Sequence, residues 1–363
     1  MSLRCGIVGL PNVGKSTLFN ALTASKVAAE SYPFCTIEPN KGVVQVPDDR
    51  LRQLADICKP DRIVPTTIEF VDIAGLVKGA SKGEGLGNQF LAHIRETDAI
   101  IHVVRCFRNL DVAHVSGELD IASDVETVNT ELALADLDTV DRHFDKLRRK
   151  ANAGDKEAKE QFAVIQKVYD HLAEGQPVRA LELNATESEV VEELRLLTAK
   201  RVLYVANVDE AGIKGNEHSG ALGKLAAAEN SEIVIVCAEI EAEIVELDES
   251  DRTVFLRDLG LGEPGLHRVI RAAYQLLDLH TFFTTLSKEV KAWTVAGGLS
   301  AYEAAGRIHA DFQRGFIRAE VAHYEDFIAA GGEHKARDVG KMRPEGRDYV
   351  IRDGDVIHFR FKV

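Results

Sequence analysis

The chain has no Cys-x-x-Cys pair, no apolar run of membrane-spanning length, no internal repeat or low-complexity tract and no excess of positive charge. Each absence removes a class of protein. Its five cysteines, Cys5, Cys35, Cys58, Cys106 and Cys237, are odd in number and scattered, which argues against a disulfide framework or a structural zinc site and fits a reducing compartment. The longest apolar stretches, such as Ala99 to Val104 and Ile233 to Val236, are far too short to cross a bilayer. Met1-Ser2-Leu3-Arg4 runs straight into a strand-like segment, so no export signal is expected and a cytoplasmic location is. A formal net charge of -14 speaks against wholesale coating of nucleic acid and makes DNA an unexpected partner, although a local basic patch can still dock on RNA.

What is present is a soluble, globular composition: 363 residues, 45% hydrophobic and 28% charged, enough to bury a core in two or three domains. Short β-rich runs alternate with helix-like stretches, the pattern of a parallel sheet covered by helices. Strands are predicted at Leu3 to Val8, Ile68 to Asp72, Ala99 to Val104, Val202 to Ala206 and Ile233 to Val236. Their near-continuous apolarity suits strands buried on both faces of a doubly wound α/β fold.

An insertion is predicted between about Asp124 and Thr198. Leu134, Leu137, Val140, Phe144 and Leu147 recur at helical spacing, as do Phe162, Ile165, Tyr169 and Leu172. Ala151-Asn152-Ala153-Gly154-Asp155 between them has turn composition, so an antiparallel helical hairpin is expected, with the basic run Lys146-Leu147-Arg148-Arg149-Lys150 at its tip. Such a run more often complements a helix dipole than touches RNA, and both readings stand. After Leu279 a small α+β domain is expected, with an amphipathic helix from about Ser300 to Phe312 and a β-hairpin at Asp353-Gly354.

The chemistry is carried by Gly9-Leu10-Pro11-Asn12-Val13-Gly14-Lys15-Ser16, a full G-x-x-x-x-G-K-[ST] template between a strand and a helical pattern starting at Thr17. Glycines in such a loop let backbone N–H groups turn around a β-phosphate, and the helix N-terminus adds its positive dipole end. Lys15 then neutralises β- and γ-oxygens, and the Ser16 hydroxyl is placed on Mg²⁺. A glycine turn of no function satisfies scattered glycines but not the whole template. Asp72-Ile73-Ala74-Gly75, at the end of a strand, puts a carboxylate within reach of the metal shell and offers the Gly75 N–H to a γ-phosphate. The glycine-rich run from Lys78 to Gly87 reads as a switch segment, with an ordinary loop as the alternative. Thr36, in the loop Tyr32 to Asn40, is placed between these elements and is expected to complete the Mg²⁺ coordination. Cys35 beside it is most simply a small loop residue.

These motifs, with Pro33-Phe34-Cys35-Thr36-Ile37-Glu38-Pro39-Asn40 and the run Asp72 to Leu91, closely resemble the bacterial YchF proteins, the Obg-like ATPases, over essentially the whole chain. The resemblance implies a Ras-like doubly wound P-loop domain at 1–123 and 199–279, a helical coiled-coil insertion at 124–198, and a C-terminal β-grasp (TGS) domain at 280–363. It implies ATP over GTP. Guanine-specific relatives use Asn-Lys-x-Asp, whose aspartate takes two hydrogen bonds from the base. Here Asn207-Val208-Asp209-Glu210 weakens guanine preference without excluding a shifted Asp209, and the resemblance assigns adenine to Asn207 and Val208, with Asn12, Val13, Gly14, Lys15, Ser16 and Thr17 holding the phosphates. Leu76 stands where many GTPases carry the glutamine that orients the attacking water, and the resemblance assigns that task to His114. It also implies a regulatory ATPase with a ribosomal partner, RNA contact through the hairpin or TGS domain, and slow turnover. The rival readings are a GTP-specific switch, separated by nucleotide competition; a small-molecule kinase, for which the sequence shows no acceptor site; and a binding module with vestigial hydrolysis.

Overall fold

The computed structural model describes residues 3–24, 40–75, 79, 86–109, 118–286 and 288–362. They form two compact units, one of 3–24, 40–42 and 69–273 and the other of 43–68 and 274–362. The strands are β1 (Arg4–Val8), β2 (Lys41–Gln45), β3 (Arg62–Val64), β4 (Thr67–Asp72), β5 (Ala99–Arg105), β6 (Arg201–Asn207), β7 (Glu232–Val236), β8 (Leu279–Leu286), β9 (Glu289–Ala296), β10 (Phe316–Ala322), β11 (Arg343–Glu345) and β12 (Val356–Phe361). The helices that matter below are α1 (Lys15–Ala24), α2 (Asp49–Cys58), α3 (Leu86–Arg95), α4 (Ile121–Asn152), α5 (Lys156–Ala173), α6 (Ala185–Glu193), α7 (Glu217–Ala228) and α8 (Ala238–Glu246).

In the first unit the sheet order is β2-β4-β1-β5-β6-β7, and β4, β1, β5, β6 and β7 pair in parallel. Every residue of β5 is buried, as a strand covered on both faces requires. The five predicted strands match β1, β4, β5, β6 and β7 within a residue or so at each end. After β1 the chain builds one side of the sheet and returns to build the other, so β1 lies at the switch point of a doubly wound fold, where ligands gather at the carboxyl ends of strands.

The helical hairpin is α4 and α5. Asp120 caps α4 by accepting from Ser123 N at 3.1 Å, and Asp155 caps α5 by accepting from Ala158 N at 3.2 Å. Gly154, at φ 98°, takes the left-handed turn between them. Val140, Ile165, Val168 and Leu172 form the seam, with the Phe144 and Phe162 rings 4.6 Å apart. Lys146, Arg148, Arg149 and Lys150 are exposed at the far end of α4.

The second unit is built on a mixed sheet, β11-β10-β12-β8-β9-β3. One face packs Phe283, Val290 and Val356 with Leu51 and Leu54 of α2 and with Phe327 from the helix Tyr324–Ala330; the other packs Phe282, Val321, Ile357 and Phe359 against Ala301, Ala304 and Ala305. Sequence reading drew nothing of this unit from 43–68. Two local expectations are corrected. The helix predicted over Ser300 to Phe312 is two helices, Ala301–Ile308 and Ala310–Arg314, because His309 is extended (φ −164°) and its Nδ1 accepts from Asp311 N to start the second. Asp353-Gly354 is a turn but not a hairpin: Ile351 is buried in the core, Ile351 N donates to Leu299 O, and the Asp353 carboxylate accepts from Thr281 N at 2.8 Å and pairs with Arg50.

Candidate nucleotide site

The loop from Gly9 to Gly14 leaves the end of β1 and turns directly into α1. Asn12 (φ 61°) and Gly14 (φ 95°) are in left-handed conformations, so the backbone reverses twice within a few residues. At Gly14 only a hydrogen fits: a Cβ there would lie 2.2 Å from Asn207 Nδ2. That close approach is functional packing, because Asn207 Nδ2 donates to Val13 O at 2.9 Å while its Oδ1 accepts from Ala238 N, at the start of α8, at 3.0 Å. Asn207 and Val13 are buried, and Asn12, Ser16 and Thr17 are exposed along the mouth of the loop.

Lys15 is buried, and its Nζ donates to Leu10 O at 2.6 Å. Burial pushes its ammonium down to about 8, against the pull of Asp72, which favours the charged form. One residue on, Ser16 Oγ donates to Asp72 Oδ2 at 3.0 Å. The other carboxylate oxygen, Oδ1, is buried with no hydrogen-bond partner among the described residues. Burial raises the Asp72 carboxyl, opposed by the Ser16 hydroxyl and by Lys15. An unpartnered buried carboxylate oxygen beside a serine hydroxyl is costly as it stands and is the donor set of a hard, oxygen-loving cation. Gly75 closes the group: a Cβ there would be 3.1 Å from the Pro11 backbone and 3.2 Å from Lys15 Nζ, so a side chain would crowd the ammonium.

The structure therefore brings Val13, Gly14, Lys15, Ser16, Asp72, Gly75 and Asn207 together at one end of the parallel sheet. Thr36 and His114, with Cys35 and Leu76, lie outside the described residues. Val208 is buried and its N donates to Val236 O at 2.8 Å, which sets it in the framework behind the loop. Asp209 Oδ1 accepts from Gly212 N at 3.0 Å, capping a short turn, and Glu210 is exposed.

Sequence reasoning missed Glu131. It is buried on α4, and its Oε1 accepts from the backbone N of Gly79 at 2.6 Å. Its signal was a charge set among Val128, Leu132 and Ala135 on the buried side of the helix, where a lone acid requires a partner. The Ala238 amide was invisible for another reason, since backbone donors carry no sequence mark.

Two family models match the chain. One, described as 50S ribosome-binding GTPase, matches residues 4–136; the other, YchF-GTPase_C, described as a protein of unknown function, matches residues 279–362. The curated protein called ribosome-binding ATPase YchF from Escherichia coli O157:H7 is 57% identical over 363 residues, covering all of both chains. Its Bacillus subtilis counterpart is 51% identical over 366 residues, again covering both completely. Among solved structures, the Schizosaccharomyces pombe YchF GTPase superposes with a TM-score of 0.90 at 36% identity, covering 99% of this chain and 98% of that one.

Proposed function

Since the chain belongs to the YchF family, we propose that it is a ribosome-binding ATPase that takes up ATP in preference to GTP, hydrolyses it slowly and works as a nucleotide-dependent switch in the cytoplasm. The observation that carries this reading is the Lys15, Ser16 and Asp72 cluster: a helix N-terminus, a buried ammonium and an unsatisfied carboxylate oxygen on one side of a phosphate-sized loop. In this reading the backbone from Asn12 to Thr17 and the Lys15 ammonium hold the phosphates. Ser16, Asp72 and Thr36 hold Mg²⁺, which when bound neutralises charge on the β- and γ-oxygens. Gly75 offers its N–H to the γ-phosphate. His114 orients the attacking water in place of Leu76, and Asn207 and Val208 receive the adenine. Asp209 is drawn by the Gly212 amide into capping a short turn and Glu210 stands where guanine-specific relatives carry aspartate, which supports ATP over GTP.

We assign the P-loop domain to 1–123 and 199–279, apart from the segment 43–68 that packs in the second unit, the helical insertion to 124–198 and a TGS-type β-grasp domain to 280–363, with RNA contact through the exposed cations at the hairpin tip or through the C-terminal sheet. No helix among the described residues is long and apolar enough to cross a membrane. Co-sedimentation with ribosomes tests the whole reading: a non-hydrolysable ATP analogue changes the bound fraction relative to ADP, and GTP in equal amount competes poorly. Indifference to nucleotide, or equal competition by GTP, rejects it. His114→Ala is expected to keep ATP affinity within about twofold and lower turnover by roughly a hundredfold, a range typical of acid–base and water-orienting groups; unchanged phosphate release rejects that role.

A further inference from the structure

Three buried acids lie on α4: Asp124, Glu131 and Asp136. Asp136 is an anchor. Its carboxylate accepts from Leu197 N at 2.8 Å, from Thr198 N at 2.7 Å and from Thr198 Oγ1 at 2.7 Å, just before the chain enters β6. Arg95 adds a second tie, with its guanidinium donating to Thr139 Oγ1 at 2.6 Å. The middle of α4 is thus fixed to the framework of the sheet.

Glu131 faces the same framework but holds something else. One group it holds, the Gly79 amide, is four residues beyond Gly75, and Gly75 packs against Pro11 and the Lys15 ammonium. Four residues span at most about 14 Å when fully extended, so a fixed Gly79 limits how far Gly75 can travel. A helix of 32 residues, about 48 Å long at 1.5 Å per residue, carries any tilt at its base out to the basic tip.

We propose that Glu131 is a positioning residue for ATP hydrolysis: by holding the Gly79 amide it sets the Gly75 backbone for the γ-phosphate and passes that setting to α4 and the hairpin it begins. Both the phosphate site and α4 bias the same bond, which is what coupling between them requires.

The inference rests on the ATPase reading above, and the two fail separately. In the full-length chain, Glu131→Ala should lower kcat roughly tenfold while the ATP KM stays within about twofold, as expected for loss of one charge-assisted hydrogen bond. Glu131→Gln, which keeps an acceptor oxygen, should recover kcat to within about threefold of the parent. Unchanged kcat in Glu131→Ala, equal losses in both variants, or a lower melting temperature without the split between kcat and KM overturns the proposal. If Glu131→Ala does not fold, exchange of the Gly79 amide in the parent protein decides: a non-hydrolysable ATP analogue with Mg²⁺ should slow it roughly tenfold relative to ADP, and identical rates overturn the coupling. A parent chain that releases no phosphate defeats the ATPase reading, while a nucleotide-dependent Gly79 amide would still uphold the link to α4.

Discussion

The two sheets of this protein treat a titratable group in their interiors in opposite ways. In the parallel sheet, His102 on β5 is buried against Tyr204, their rings 5.3 Å apart, and burial, aided by the charges of Arg179 and Lys15, holds it neutral down to about 3. In the mixed sheet, Glu320 on β10 is buried yet kept ionised down to about 2, chiefly by its hydrogen bond from Arg360, with Arg318 and Arg337 beside it. Apart from Glu69, a buried acid within β4 that pairs with Arg4, the first sheet keeps charge at the ends of its strands, near Lys15 and Asp72. The second accepts charge on a face and surrounds it with counter-charges. A field concentrated at one edge is what a polyanion and its metal need, and an internally balanced network offers a substrate little.

The largest effect expected to separate the two sheets is at Lys15. Lys15→Ala should weaken ATP binding by on the order of a hundredfold and abolish phosphate release, because it removes the buried ammonium of the phosphate loop; titration calorimetry checks this, and Glu320→Ala should leave that affinity within about twofold. Conversely, Glu320→Ala should cost about 1–3 kcal/mol of stability, measured by denaturant midpoint, since it leaves three half-exposed guanidiniums facing one another. A drop in ATP affinity as large as that of Lys15→Ala would break the contrast.

Acid gives the third and most graded test. His102 has a folded value below its ordinary 6.5, so the unfolded chain takes up a proton first, and its contribution, complete above about 6.5, is lost as pH falls towards about 3. Glu320 is depressed from 4.5 to about 2, so its contribution persists to about 4.5 and is lost below that. Hydrogen exchange followed from pH 7 to pH 4 should therefore show β5 and β6 losing protection before β10 and β12. The reverse order would contradict the comparison.

Much of the first sheet was legible in the sequence because its information is local. A P-loop is a contiguous pattern, and β1, β4, β5, β6 and β7 are short apolar runs whose burial follows from their composition. The hairpin was legible for the same reason, through the spacing of Val140, Phe144, Ile165 and Leu172. The second unit was less so. Residues 43–68 join it through Leu51 and Leu54, which meet Phe283 and Phe327 from the far end of the chain, and nothing local marks such a partnership. The Asp353-Gly354 hairpin was misread because Asp353 bonds Thr281 N across the sheet, a competitor no turn rule contains. At the site, Lys15, Ser16, Asp72 and Gly75 were readable as motifs, whereas the Glu131 to Gly79 bond became visible only with coordinates.

Asn207 joins the strand expected to receive the base to the loop expected to receive the phosphates, one end of its amide on Val13 and the other on Ala238. In the proposed reading the purine and the anion are therefore gripped by parts of a single stitched seam. An exchange at this position loosens both grips at once, so ATP and GTP should lose affinity in parallel. Discrimination between bases is better sought at Glu210, whose exposed side chain can be altered without unpicking that seam.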